Sequence, residues 1–229
     1  MSPIIKAVFL DFYGTLVHED DDLISIICKQ IHVESELQNE ISAGQIGRYW
    51  WDTLSGLFNQ SYGENFKTQR ELETISIQRT LSHFASKADA SALAQILFEY
   101  WMKPPMYVDS LKFLHAVKMP VYILSNIDRS DILPAAAHYN LSVEHVITSE
   151  DVRSYKPRSE MFVAALKAAA LKPHEVLHVG DSVSSDVVGA RRMGIPVAWI
   201  NRTGKTLRSE YTPNYVIKEL TDVMSILAS

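Results

Sequence analysis

Cysteine is nearly absent from this 229-residue chain: Cys28 stands alone, which excludes an internal disulfide and a cysteine-based zinc site. No apolar run is long and uncharged enough for a membrane-spanning helix. An excess of positive charge is missing too. Twenty-two lysines and arginines face twenty-seven acidic residues, a formal charge of −5, and such a balance leaves no footprint for nucleic acid. The opening Met-Ser-Pro-Ile-Ile-Lys has neither a basic region nor a cleavage site, so no signal peptide is expected there and the expected location is cytoplasmic. Internal repeats and low-complexity tracts are absent as well. What is present is enough apolar sequence to bury a core: 47% of residues are hydrophobic and 21% charged.

The order of the apolar runs predicts an α/β fold. Ile4 to Leu10 is a short apolar run that ends in Asp11, with Gly14 soon after. Val121 to Leu124 ends in Ser125-Asn126, Val176 to Val179 in Gly180-Asp181, and Pro196 to Ile200 in Asn201-Arg202. Such runs read as buried parallel strands. Helical patterns at roughly 109–118, 129–139, 159–170 and 184–193 alternate with them, as in an open parallel Rossmann-like sheet. Ligands bind such sheets beyond the carboxyl ends of the strands, where these polar residues sit. Residues 18 to 104 differ. Ile24, Ile27 and Ile31, then Leu54, Leu57 and Phe58, then Ile75, Leu81 and Phe84, then Leu93, Ile96, Leu97 and Tyr100 recur at helical spacing. Pro104-Pro105 ends that stretch. The expected organisation is an α/β core over 1–17 and 105–229, with an inserted all-helical domain at 18–104.

Four groups of polar residues at the strand ends carry chemistry. Asp11-Phe12-Tyr13-Gly14-Thr15 supplies a carboxylate and a hydroxyl, Ser125-Asn126 a second hydroxyl and an amide, Lys156-Pro157 a cation, and Gly180-Asp181-Ser182 with Asp186 two further carboxylates. A carboxylate nucleophile needs a lysine to hold its charge, a hydroxyl to grip an incoming anion, and further carboxylates if a metal is used. In this order the four groups resemble the motifs of the haloacid dehalogenase (HAD) superfamily, and the helical insertion occupies the place of that family's α-helical cap. The resemblance covers the whole chain.

It implies Asp11 as nucleophile, Thr15, Ser125 and Asn126 (with Tyr13 and Gly14 alongside) against the anionic group of a small substrate, and Lys156 as the charge-neutralising residue. It further implies Mg²⁺ held by Asp11, Asp181, the backbone carbonyl of Tyr13, and Asp186 nearby, an all-oxygen site suited to that cation. Closure of the cap would exclude water and set specificity. Two parts of the pattern disagree. Phosphatases of the superfamily carry a second aspartate, a general acid, where this chain has Tyr13, and a phenol is a poor acid at neutral pH. Tyr13, the stretch Ser154-Tyr155-Lys156-Pro157 and the later Trp199 to Gly204 are similar to the dehalogenases, whose halide leaving group needs no proton. Gly180-Asp181-Ser182 is instead the phosphatase form of the fourth motif, where dehalogenases carry serine and asparagine and use no metal.

Three clustered aspartates would repel one another without a cation, so the carboxylates take precedence over Tyr13. The leading expectation is therefore an Mg²⁺-dependent phosphatase of a small phosphorylated metabolite, through an aspartyl-phosphate on Asp11. The alternatives are metal-independent dehalogenation of a 2-haloacid through an aspartyl ester, and a phospho-ligand-binding protein without turnover. Phosphonate cleavage would need a cap lysine, and Lys29, Lys67, Lys87 and Lys103 are available without one being singled out. No nucleic-acid or membrane partner is expected, and nothing in the sequence fixes an oligomeric state.

Other features read as structural. Trp50, Trp51 and Trp101 are expected to pack in the helical domain, Arg48 to lie on a solvated helix face, and the run Glu19 to Asp22 to cap a helix N-terminus. Cys28 reads as a core residue. His18 is the one histidine that the sequence places near the cleft.

Overall fold

The computed structural model describes residues 4–228. The first three residues of the N-terminal reading, and the last residue of the expected core, lie outside them. Six parallel strands form one sheet: β1 (Ala7–Leu10), β2 (Val121–Ser125), β3 (His145–Thr148), β4 (Val176–Gly180), β5 (Val197–Ile200) and β6 (Tyr215–Ile217), in the order β3-β2-β1-β4-β5-β6. β1, β4 and β5 are buried along their whole lengths, as parallel strands covered on both faces require. The order reverses between β1 and β4, and there the carboxyl ends of two neighbouring strands open a crevice.

The helices are α1 (Asp21–Val33), α2 (Ala43–Gln60), α3 (Gln69–His83), α4 (Ala90–Met102), α5 (Val108–Ala116), α6 (Arg129–His138), α7 (Ser149–Val152), α8 (Glu160–Ala169), α9 (Val188–Arg192) and α10 (Val223–Leu227). A wide turn, Val183–Val187, runs into α9. Among the described residues no helix is long and apolar enough to cross a membrane.

Two compact units divide the chain. Among the described residues the first comprises 4–19, 105–126 and 140–228; the second comprises 20–104 and 127–139. The first is the α/β unit, and its core joins Phe9, Leu124, Phe162, Val187, Val197 and Trp199. The second is all helical. Trp50 and Trp101 are buried in it, whereas Trp51 is 64% exposed. Arg48 is exposed and Cys28 buried, in keeping with the structural reading of both.

Three features depart from the sequence pattern. β3 and β6 lie at the edges of the sheet and carry exposed ends, His145 in the one and Tyr215 and Val216 in the other, so neither shows the continuous apolar run of a central strand. Asp20 occupies the N-cap position of α1 without capping it, because its carboxylate accepts a hydrogen bond from Trp101 Nε1 at 2.8 Å. The third is α6, which the sequence pattern places in the α/β core and which packs within the helical unit. The reason is electrostatic. Asp128 accepts from the backbone N–H groups of Gln69 and Arg70 at 2.8 and 2.9 Å, at the N-terminus of α3, and fully buried Asp131 is paired with Arg70. Helix starts favour negative charge for this reason.

Candidate active site

Asp11 follows β1 directly and is 6% exposed. Its N–H donates to the Val179 carbonyl at 2.9 Å, which ties the nucleophile position to β4. The chain then doubles back: Leu16 N–H and Val17 N–H both donate to the Phe12 carbonyl, and Gly14 N–H donates to the Val17 carbonyl. Gly14 has φ +78°, and a Cβ on it would stand 2.6 Å from the Asp181 carboxylate. Only glycine tolerates both conditions.

Lys156 is the hub. Its Nζ donates to Asp11 Oδ1 at 2.7 Å, to Asp186 Oδ1 at 2.7 Å and to the Leu124 carbonyl at 2.8 Å, so all three of its protons are used. Asp186 Oδ2 accepts from the Ser182 N–H at 3.1 Å, which closes the wide turn over the end of β4. Thr15, fully buried, donates its hydroxyl to Asp11 Oδ2 at 3.3 Å. Ser125 ends β2 in register with Thr148 and is buried. Asn126, expected at the substrate's anionic group, is bonded to the Lys156 main chain. Its Oδ1 accepts from the Lys156 N–H at 2.7 Å and its Nδ2 donates to the Lys156 carbonyl at 3.1 Å, so its carboxamide holds the lysine's main chain in place.

Burial and charge set the protonation of this cluster. Burial raises Asp11, Lys156 only partly offsets it, and the carboxyl settles at about 6. Burial together with Asp11 and Asp186 pushes Asp181 up to about 8. Asp186 is also buried, but Lys156 and His178 outweigh that and hold it down at about 2. The two carboxylates likewise keep Lys156 above its usual range despite its burial. At neutral pH without a cation, Asp181 is therefore protonated, while Asp11, Asp186 and Lys156 are charged.

One oxygen each of Asp11, Asp181 and Asp186 lie within 4.8 Å of one another. Asp181 has an open carboxylate facing this space, with Lys205 Nζ 3.9 Å from its Oδ2. Three close hard oxygens of this kind fit a divalent cation such as Mg²⁺. Tyr13 stands between nucleophile and glycine, with its ring edge-on to Phe12 at 5.1 Å.

His178 belongs to none of the four sequence motifs. It lies on β4, is fully buried, and its Nε2 is 2.9 Å from Asp186 Oδ1. Burial lowers its pKa against the pull of Asp186. Since Asp186 is ionised, the Nε2–H donates. A lone histidine inside an apolar strand was the available signal, because a buried polar ring requires a partner. His18, which the sequence places near the cleft, is exposed and lies tilted against the Tyr107 ring, with ring centres 3.8 Å apart.

The family profile described as haloacid dehalogenase-like hydrolase matches residues 5–194. The chain belongs to this family of hydrolases. This hydrolase is 28% identical over 231 residues to an (S)-2-haloacid dehalogenase of Pseudomonas sp. (strain YL), covering 97% of this chain and 94% of that protein. It is 30% identical over 166 residues to the 5-amino-6-(5-phospho-D-ribitylamino)uracil phosphatase YigB of Escherichia coli (strain K12), covering 69% and 68%. Among solved structures, the L-2-haloacid dehalogenase RSc1362 superposes with a TM-score of 0.81 at 20% identity over 98% of this chain and 99% of that one, which shows the shared fold.

Proposed function

We propose that this hydrolase displaces halide from C2 of a short 2-haloacid, with Asp11 as the nucleophile. The observation that carries the reading is Tyr13. The second position after the nucleophile offers no carboxylic acid to protonate an alcohol leaving group, and a halide needs none. The end-to-end likeness to a 2-haloacid dehalogenase supports it.

The chemistry follows from the two oxygens of Asp11. Oδ1 is held by the Lys156 ammonium, whereas Oδ2 takes the longer bond from the Thr15 hydroxyl, so Oδ2 is the attacking oxygen. It forms a bond to C2 as the carbon–halogen bond breaks and the halide leaves with the electron pair. Water then adds to the ester carbonyl carbon, whose oxygen lies against Lys156 Nζ. The bond from that carbon to Oδ2 breaks, the 2-hydroxy acid departs with that oxygen as its hydroxyl, Asp11 is restored with the oxygen of the water, and one proton is released to solvent.

A second reading keeps the three-carboxylate cluster at its centre: an Mg²⁺-dependent phosphatase of a small phosphorylated metabolite. Asp11, Asp181 and Asp186 would hold the cation with the Tyr13 carbonyl, and the ion would supply charge stabilisation to a transferring phosphoryl group. Lys156 would again hold Asp11, and Thr15 and Ser125 would receive the anion.

Halide release from (S)-2-chloropropionate in EDTA, set beside hydrolysis of p-nitrophenyl phosphate with Mg²⁺, separates the two. The proposal expects chloride release that survives EDTA and falls at least about 10³-fold in Asp11→Asn. Phosphate release that requires Mg²⁺, with no chloride release, would overturn it in favour of the second reading. Ligand binding with neither activity would point to the silent binding protein.

A further inference from the structure

The loop that carries Asp11 is gripped from behind by residues distant in sequence. Arg202 Nη2 donates to the Thr15 carbonyl at 2.8 Å. The same guanidinium engages both oxygens of Asp109, Nη1 to Oδ1 and Nη2 to Oδ2, each at 3.1 Å, and lies 3.7 Å from the centre of the Tyr107 ring. Asp109 is fixed in turn by the Leu220 N–H, which donates to its Oδ2 at 2.6 Å. The next carbonyl of the loop, that of Leu16, accepts from Tyr107 N–H at 3.1 Å and from Ser110 Oγ at 2.8 Å. Two successive carbonyls of the nucleophile loop are thus held by the start of α5 and by the segment after β5.

A guanidinium can fork a carboxylate end-on through its two Nη atoms or side-on through Nε and one Nη. The one adopted leaves its buried Nε without a partner among the described residues while aiming an arm at Thr15. Leaving a buried donor unpaired costs free energy, so the third contact has set the placement. Thr15 is the residue whose hydroxyl bonds Asp11 Oδ2. Moving its carbonyl moves its side chain, and with it the direction of the attacking oxygen.

We propose that Arg202, braced by Asp109 and Tyr107, is a positioning residue for the nucleophile, acting through Thr15. This rests on the reading of Asp11 as nucleophile. It requires no contact between Arg202 and substrate, so it acts on turnover and leaves binding alone. A misplacement of about 1 Å at a reacting centre can cost about 10²-fold in rate.

The test uses Arg202→Gln, Arg202→Lys and Asp109→Asn in the full chain. Three readouts are taken: kcat and KM for whichever of 2-chloropropionate and p-nitrophenyl phosphate the wild type turns over, melting temperature, and hydrogen exchange of the peptide covering residues 11–18. The expected result for Arg202→Gln is a kcat lower by about tenfold or more, a KM within about threefold, and faster exchange confined to that peptide. Arg202→Lys should recover part of kcat, since an ammonium can reach one carbonyl but cannot fork Asp109. If Arg202→Gln does not fold, Asp109→Asn carries the same expectation in milder form, because it keeps the shape and loses the charge. Unchanged kcat with unchanged loop exchange would overturn the proposal. So would a loss of kcat that merely tracks a lowered melting temperature with exchange raised across the chain. Should the wild type turn over neither substrate, the reading of Asp11 falls, and loop exchange alone still decides whether Arg202 positions the loop.

Discussion

Lys156 satisfies three acceptors with one ammonium, and two of them are buried carboxylates. Replacing it with methionine would leave Asp11 and Asp186 facing each other in the interior. Breaking a buried pair in this way costs about 3–5 kcal/mol, and urea unfolding of Lys156→Met should show a loss of that order; a loss below about 1 kcal/mol would mean that the carboxylates simply take up protons. Asp11 offers a second prediction. Its folded pKa is raised to about 6, and attack requires the ionised form. Halide release measured in chelator should therefore hold above that pH and fall as pH is lowered through it; a rate flat down to pH 4 would contradict the assignment. Asp11, Thr15, Lys156, Asp181 and Asp186 were legible in the sequence because each is a chemistry-bearing type at the end of an apolar run. The roles of Asn126 and Arg202 were not, since both act by bonding main-chain atoms of distant residues, and no sequence spacing records those bonds.

Within the helical unit, α2 and α3 meet at a buried acid. Glu73 is 2% exposed and accepts from Trp50 Nε1 at 2.8 Å, and burial, reinforced by Asp20, raises its pKa from 4.5 to about 8. The folded state thus binds a proton that the unfolded chain releases above about pH 4.5, so stability should decline as pH rises from there to about 8. Glu73→Gln keeps the acceptor and removes the charge. Its unfolding free energy should lie close to the wild type near pH 5 and exceed it by roughly 3–4 kcal/mol near pH 8; equal curves at both pH values would show that Glu73 finds a compensating partner. Helices such as these were legible from apolar spacing at the level of whole segments. Single residues were less so: Leu72 and Ile77 are buried in α3 where Ile75 is half-buried, and Ile96 is 37% exposed. An amphipathic pattern gives the face of a helix, while its neighbours decide which edge of that face is covered. The edge strands β3 and β6 escaped notice because strands flanked on one side only have no need of an unbroken apolar run.

At the scale of the whole molecule, the strand order puts the carboxyl ends of β1 and β4 side by side, which is why residues 170 positions apart, Asp11 and Asp181, share one site. The polar strand ends were readable in sequence; their adjacency follows from the order of strands, which only pairing in three dimensions fixes. The helical unit has its own non-local dependence. It is assembled from two stretches of chain, 20–104 and 127–139, with a strand of the other unit between them. Residues 20–104 expressed alone should give no cooperative thermal transition, because Arg70 and the start of α3 lose Asp131 and Asp128. The same segment joined to 127–139 by a flexible linker should regain one, and a cooperative melt of the shorter fragment would refute this. Anyone exchanging specificity modules between relatives of this hydrolase would then have to transplant two segments together, since a graft cut at the obvious boundaries would arrive with the acceptors of its own third helix left behind in the host.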